Sequence, residues 1–150
     1  MTNDGFWLLI LRKGQAFVPT MARTEAGFYV AIEPGAVVNA RDQLGLERAL
    51  IRTIRRGNPL VPTPSRANPS KNPLLKHAKV KSTSSFDKFA KSWKFSKRNG
   101  AYFIIPYKKK ERGEVEDHER GEAIPAEEPV DAVVRRLVRR ALESDGGDVF

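Results

Sequence analysis

Cysteine is absent from this sequence of 150 residues. Its absence excludes disulfide bonds, thiolate nucleophiles and cysteine-based zinc sites, and it agrees with a reducing compartment. Histidine is scarce as well, with only His77 and His118. Two histidines without a thiolate supply too few nitrogen and sulfur ligands for a structural zinc ion. The sequence therefore predicts neither a metal site nor a cofactor.

Long hydrophobic runs are also lacking. The only run that resembles a targeting signal extends from Phe6 to Leu11, with Asp4 before it and Arg12 and Lys13 after it. A secretory signal has its positive charge before roughly 7–15 apolar residues, and a membrane-spanning helix needs about 20. The run is typical of a buried strand. We expect a cytoplasmic protein that has no membrane partner.

Catalytic motifs are missing. The sequence contains no G-x-S-x-G, HExxH, phosphate-binding glycine loop or dinucleotide-binding fingerprint. Its carboxylates crowd into one segment that we expect to be a loop, where nothing would desolvate or position them for acid–base work. We therefore expect no catalytic residues and no enzyme. A hydrolase that uses the acidic loop is retained only as a third alternative.

The apolar pattern predicts strands joined by tight turns. Asn99-Gly100 is a strong hairpin signal between Phe95 and the strand from Ala101 to Tyr107. The other predicted strands are Phe6–Leu11 and Ala16–Val18, joined at Gly14, and 27–38, interrupted by a turn at Pro34-Gly35. Together with the helices described next, these strands predict a single α+β domain with an antiparallel sheet and about three to four helices.

Helical spacing and end signals predict the helices. The first extends from about Arg41 to Arg56, with Asn39 or Asp42 as its cap and Gly57 after its end. Two short helices follow, one from Asn72-Pro73 to about Val80 and one from Ser84 to about Trp93. In the second, Ser84 and Asp87 form a capping box, and Phe86, Phe89, Ala90 and Trp93 form the apolar face. A last amphipathic helix begins at Pro129 and Val130, with Arg135, Arg136, Arg139 and Arg140 facing outward.

The domain organisation follows from these elements. Residues 1–20 are an N-terminal strand, or an appendage if Met21 is the true start. Residues 21–142 form the single α+β domain, with a proline-rich connection at 57–73 and an acidic loop at 111–128. Residues 143–150 form a frayed tail.

The net charge of +9 is distributed unevenly. Residues 57–110 contain 13 Lys or Arg and a single acid, Asp87, whereas residues 111–131 contain nine acids and two Arg. A block of one sign attracts a partner of the opposite sign. Because the two blocks adjoin, the acidic loop could instead fold back and screen the basic face. Both interpretations remain open at this stage.

The basic block at 71–110 also interleaves cations with aromatic residues, the composition of single-strand nucleic-acid binding sites. The two short helices suggest a helix-turn-helix. We prefer the interpretation in which these aromatic residues face the core, since buried rings cannot stack on bases. The predicted partner-binding basic surface consists of Lys88, Lys91, Lys94, Lys97, Arg98, Lys108, Lys109 and Lys110.

Five segments carry a resemblance to a known group. They are GFYVAIEPGAVV, RRGNPLVPTPSR, NPLLKHAKVKSTSSFDKFAKSW, NGAYFIIPYKKK and the closing amphipathic helix, within about residues 28–142. They are similar to small, mostly uncharacterised bacterial proteins, some of which are immunity proteins of contact-dependent growth inhibition systems. The resemblance contains turns and core positions but no catalytic signature, so it assigns no functional residue. Many immunity proteins are acidic, and this basic chain departs from that pattern.

The resemblance implies a non-catalytic protein that binds and neutralises a cognate toxin domain in the cytoplasm. A basic surface suits an acidic partner. The alternative is a nucleic-acid-binding protein that uses the basic block at 71–110. The expected partner is therefore another protein, with nucleic acid as the second candidate.

Overall fold

The computed structural model describes residues 4–67, 72–109 and 114–144. Within these ranges the chain forms eight strands and four α-helices. The strands are β1 (Gly5–Arg12), β2 (Gln15–Thr24), β3 (Tyr29–Asn39), β4 (Leu60–Val61), β5 (Ala90–Arg98), β6 (Ala101–Lys109), β7 (Glu114–Glu116) and β8 (Glu122–Pro125). The helices are α1 (Gln43–Arg56), α2 (Pro73–Ala78), α3 (Thr83–Asp87) and α4 (Val130–Ser144). The predicted single α+β domain with an antiparallel sheet is confirmed.

The sheet runs in the order β3-β2-β1-β5-β6-β7 within the described residues. β8 pairs antiparallel with β6, and the short β4 pairs parallel with β2. β1 lies in the interior of this sheet, between β2 and β5, and its Leu9 is fully buried. Residues 5–12 therefore form a central strand, and residues 15–20 belong to β2.

Two tight turns set the register of the sheet. Lys13 and Gly14 join β1 to β2 with φ angles of 49° and 77°, and Asn99 and Gly100 join β5 to β6 with 50° and 78°. Two consecutive left-handed residues match the right-handed twist of a hairpin, and Asn-Gly adopts them at low cost. Both predicted hairpins are confirmed.

One face of the sheet packs against α1 and α4. Asp42 caps α1 through a 2.9 Å hydrogen bond from the Gly45 amide, and Gly57 ends it with a φ of 79°. This layer buries apolar residues from the sheet and both helices: Trp7, Leu9, Leu11, Val18, Leu46, Leu50, Trp93, Phe95, Ile104, Val134, Leu137 and Val138. The helix predicted from about Arg41 to Arg56 and the amphipathic helix predicted to begin at Pro129 and Val130 are confirmed.

The opposite face of the sheet is covered in part by α2 and α3. Leu74 and Phe86 pack there on Ile10 and Phe17, which lie on β1 and β2. Asn72 caps α2 as predicted, through a 3.0 Å hydrogen bond from the Leu74 amide. This smaller core holds the two short helices against the β1–β2 hairpin.

The predicted helix from Ser84 to Trp93 is wrong beyond Asp87. α3 ends there, and the chain enters β5 at Ala90. Phe86, Ala90 and Trp93 fit a helical period, but Trp93 and Phe95 also fit the two-residue period of a strand. Pairing with β1 on one side and β6 on the other decides in favour of the strand. The capping-box side chains of Ser84 and Asp87 lie outside the described part.

Two other segments differ from expectation. The predicted turn at Pro34-Gly35 is wrong, because β3 continues through it with a register shift opposite Pro19 and Thr20 and with a cis Glu33–Pro34 peptide bond. The acidic segment 111–128, expected as a loop, contains β7, a 3₁₀ turn and β8 between residues 114 and 125. Positions 111–113 and the tail beyond Ser144 lie outside the described residues.

Candidate partner-binding surface

The predicted basic residues do not form one continuous surface. Alternation along β5 places Lys91 and Lys97 on the side of Trp93 and Phe95, facing the α4 layer, and Lys94 on the opposite side. Lys88 lies two residues before β5, and Arg98 is the last residue of β5. At roughly 3.3 Å per residue, the two residues are about 30 Å apart. Lys108 and Lys109 end β6 on the Lys88 side, while Lys110 lies outside the described residues.

Lys94 is engaged by the acidic segment. Its ammonium group forms an ion pair with the Glu116 carboxylate of β7, and its side chain is only 12% exposed. The hydrogen bond from Lys94 is the main reason that the pKa of Glu116 lies below its ordinary value. Burial, together with the nearby Glu116 charge, raises the pKa of Tyr107 to about 12. The acidic segment therefore screens the centre of the basic block.

A second carboxylate of this segment pairs with α4. Glu122 accepts hydrogen bonds from the Arg136 guanidinium at 2.6–2.9 Å and from Arg140 at 3.1 Å. The hydrogen bond from Arg136 is the main cause that lowers the pKa of Glu122. Screening by the acidic segment thus extends to the arginine face of α4. Two clusters of cations that the acidic segment does not engage lie at the two ends of the sheet.

The first of these ends is the Phe89 corner, formed by Arg12, Lys13, Lys88 and Phe89. Phe89 is 49% exposed, and the ammonium groups of Lys13 and Lys88 lie 4.3 and 5.5 Å from its ring centroid. The Arg12 guanidinium lies 5.9 Å from the same centroid and donates to the Phe86 carbonyl at 3.1 Å. These distances fall within the range of cation–π contacts.

The second end contains the cationic cavity, which has a volume of about 580 Å³. Its lining residues lie in or next to the ends of β1, β2, β3, β5, β6 and α1, and at the start of α4. The cations that line it are Arg23, Arg55 and Lys97, and Asp4 is the acid among the described lining residues. The remaining lining residues are Trp7, Tyr29, Ile54, Gly57, Asn58, Tyr102 and Val130.

Asn58 bridges the backbones of β1 and β2 at this end of the sheet. Its side-chain oxygen accepts from the Phe6 amide at 3.1 Å, and its side-chain nitrogen donates to the carbonyls of Phe6 and Met21, each at 2.8 Å. β1 pairs with β2 from Ile10 to Arg12, and at Phe6 the Asn58 side chain takes the place of ladder hydrogen bonds between the two strands. Ile54 and Arg55 of α1 line the cavity together with Asn58.

Two exposed apolar side chains lie next to the cationic cavity. Leu60 is 71% exposed and is the β4 partner of Arg23, while Phe28 is 49% exposed and directly precedes Tyr29. Phe6 and Tyr29 stack with their ring centroids 4.9 Å apart. Aromatic residues and arginine are the types enriched at protein–protein interfaces. This end of the sheet therefore has the composition of a binding surface.

Other polar groups form pairwise contacts. His77 of α2 lies 2.8 Å from the Glu33 carboxylate of β3, and His118 lies 3.3 Å from Glu116. Across the described residues, no group of three or more His, Cys, Asp or Glu side chains could hold a metal ion. No helix in the same ranges is long and apolar enough to cross a membrane.

Comparison with solved structures places the chain in a known class of fold. It matches a protein of unknown function from Neisseria meningitidis, NMB0488, with a TM-score of 0.66 and 11% identity, over 94% of each chain. It also matches a chain of the CdiA-CT/CdiI toxin and immunity complex from Yersinia pseudotuberculosis. That match has a TM-score of 0.61 and 13% identity, and it covers 93% of this chain and 96% of the other. The resemblance seen in the sequence is thereby confirmed at the level of the fold.

No family model matches the chain, and no curated protein sequence matches it. The structural likeness therefore shows the fold alone, since identity is low in both matches.

Sequence reasoning missed most of both exposed clusters. Lys13 lies in a hairpin turn, and Arg23 and Arg55 end a strand and a helix that are far apart in the chain. Only the pairing of β1 with β5 brings Lys13 to Lys88, and only the packing of α1 on the sheet brings Arg55 to Lys97. The sequence does place Arg55 in the last turn of a helix, where cations are common. That position predicts an interaction with the end of the helix and does not predict a binding surface.

Proposed function

We propose that this chain is a non-catalytic binding protein that neutralises a cognate toxin domain in the bacterial cytoplasm. One observation carries the proposal: the fold is shared, along nearly the full length of both chains, with a chain of the CdiA-CT/CdiI toxin and immunity complex. Such a protein acts by occupying a surface of its partner. It needs exposed recognition groups and no catalytic constellation.

The arrangement of charge supports a protein partner. Lys94, Arg136 and Arg140 are already paired with the acidic segment, whereas the Phe89 corner and the cationic cavity keep exposed cations beside aromatic rings. Aromatic and arginine anchors give most of the affinity in interfaces, and surrounding charges steer the encounter. A partner with an acidic surface fits this pattern.

Co-expression tests the proposal directly. In the first step, the purified chain is used to capture its partner from a lysate of the source bacterium, with and without nuclease treatment, so that the partner can be identified. The toxin domain of that partner is then expressed in a sensitive host with and without this chain. We expect growth to be restored by the wild-type chain, and capture to survive nuclease treatment. Growth arrest that continues in the presence of a folded chain would remove the proposal.

Nucleic-acid binding remains the second candidate because of the Phe89 corner. Its exposed ring lies beside two lysines, as a stacking platform requires. Most other aromatic residues of the basic block, including Trp93 and Phe95, are buried and unavailable to bases. We expect binding to labelled single-stranded RNA to vanish above about 0.15 M salt, where charges are screened beyond roughly 8 Å. Binding that persists there and is lost in Lys13→Ala/Lys88→Ala would favour this candidate.

A further inference from the structure

The cationic cavity combines a charged rim with an apolar floor. Arg23 and Arg55 are exposed at the rim, and in the part of the chain that the structure describes neither side chain forms an ion pair. Lys97 lies 5.5 Å from the Tyr102 ring centroid. The floor contains Trp7 and Tyr102, both more than nine-tenths buried. Such a cavity is suited to a group that is negatively charged at one end and apolar at the other.

The charge inside the cavity is unbalanced. Three cations face one carboxylate, Asp4, which accepts a 3.4 Å hydrogen bond from the Asn99 amide. The carboxyl end of α1 contributes a partial negative charge equivalent to about half an elementary charge, and this opposes anion binding. The guanidinium of Arg55 carries a full charge at the same place and outweighs it. The cavity therefore keeps a net positive potential that an anionic group would neutralise.

The rim identifies the class of occupant. Two exposed apolar residues adjoin residues that line the cavity: Phe28 directly precedes Tyr29 in the chain, and Leu60 pairs with Arg23. A free small anion would leave these side chains in water, whereas a protein segment would cover them. An exposed cluster of Phe, Leu, Tyr and Arg around a recess matches the anchor-and-rim pattern of interfaces.

We propose that the cationic cavity is the docking site for an acidic side chain of the protein partner, with apolar residues of that partner covering Phe28 and Leu60. The inference rests on the proposed function and specifies its surface. The partner's Asp or Glu carboxylate binds between the guanidinium groups of Arg23 and Arg55. The Phe89 corner, at the other end of the sheet, lies outside this interface.

Charge reversal tests the inference with the purified partner. Arg23→Glu/Arg55→Glu should raise the dissociation constant by about 30-fold or more, the effect of losing a central arginine anchor. Leu60→Asp should weaken binding about tenfold, because it places a charge on the apolar rim. Arg48→Glu is the matched control, since Arg48 is an exposed arginine of the same helix outside the cavity. Thermal unfolding of each variant establishes that it is folded.

The outcomes separate this inference from the proposed function. A complex that forms with the wild type, survives Arg48→Glu and is lost in the double variant supports both. A complex that tolerates the double variant and Leu60→Asp contradicts the docking site and leaves the proposed function standing. The absence of any complex with the wild type contradicts both.

Discussion

The ammonium group of Lys94 on β5 is paired with the carboxylate of Glu116 on β7, across the intervening strand β6. This contact joins the basic block to the acidic segment that follows it in the chain. It answers a question that the sequence leaves open, since the acidic segment does fold back on part of the basic face. The positive charge is therefore partly neutralised at the centre of the sheet, and more of it remains at the two ends.

The paired carboxylates predict a dependence of stability on pH. The pKa values of Glu116 and Glu122 lie below the ordinary 4.5. A carboxyl group whose pKa is lower in the folded state stabilises the fold above its unfolded pKa, and this contribution is lost as pH falls through its folded pKa. We expect the free energy of unfolding to fall as the pH drops below about 4.5. Urea unfolding at a series of pH values from 7 to 3 measures this free energy.

Substitution isolates these two groups. Glu116→Gln and Glu122→Gln should lower stability at pH 7 and flatten the loss of stability below pH 4.5, whereas Glu127→Gln, at an exposed position, should change neither. A wild-type pH profile that is retained in Glu116→Gln/Glu122→Gln would contradict this account of the acidic segment.

Trp93 and Phe89 should respond differently to truncation. Trp93 is 4% exposed and lies 5.0 Å from the Arg140 guanidinium, so Trp93→Ala should cost about 3–5 kcal/mol by emptying a buried aromatic site. Phe89→Ala should cost less than about 1 kcal/mol, because it removes only exposed surface and cation–π contacts. Urea unfolding of both variants measures the difference. Equal losses would indicate that Phe89 is part of the core.

Asn58 should be essential where β1 and β2 separate. Asn58→Ala removes three hydrogen bonds to the backbone of Phe6 and Met21, and we expect a loss of about 1–3 kcal/mol from the partners left without hydrogen bonds. Asn58→Asp keeps the acceptor for the Phe6 amide but directs a carboxylate at two carbonyls. It should therefore destabilise at least as much at pH 7. An aspartate variant as stable as the wild type would refute the role given to this side chain.

Local chemistry in the sequence accounts for the turns and the long helices. Asn99-Gly100, the Asp42 cap and the apolar stripes of α1 and α4 each depend on residues close together in the chain, so they could be predicted. The first half of β5 could not, because its residues fit a helical period as well as a strand period, and pairing with β1 and β6 decides between them. β7 and β8 are only three and four residues long, and their strand conformation depends on pairing with β6, which lies outside their own sequence.

The two cation clusters likewise depend on contacts between distant parts of the chain. Lys88 and Lys97 were among the predicted residues, but they lie in different clusters, and their neighbours Lys13, Arg23 and Arg55 come from distant parts of the chain. Charge counting along the sequence does not anticipate which cations the acidic segment screens. The engagement of Lys94 depends on the register of three strands.

Titration calorimetry of the purified chain against the toxin domain of its captured partner tests the central claim most directly, with toxicity of the mixture measured in parallel. The account predicts a saturable 1:1 complex that persists at about 0.15 M salt, where surface charge alone is largely screened, and loss of toxin activity at one equivalent of chain. A toxin domain that keeps its activity in the presence of excess folded chain, or the absence of binding heat at that salt concentration together with no complex by gel filtration, would contradict it.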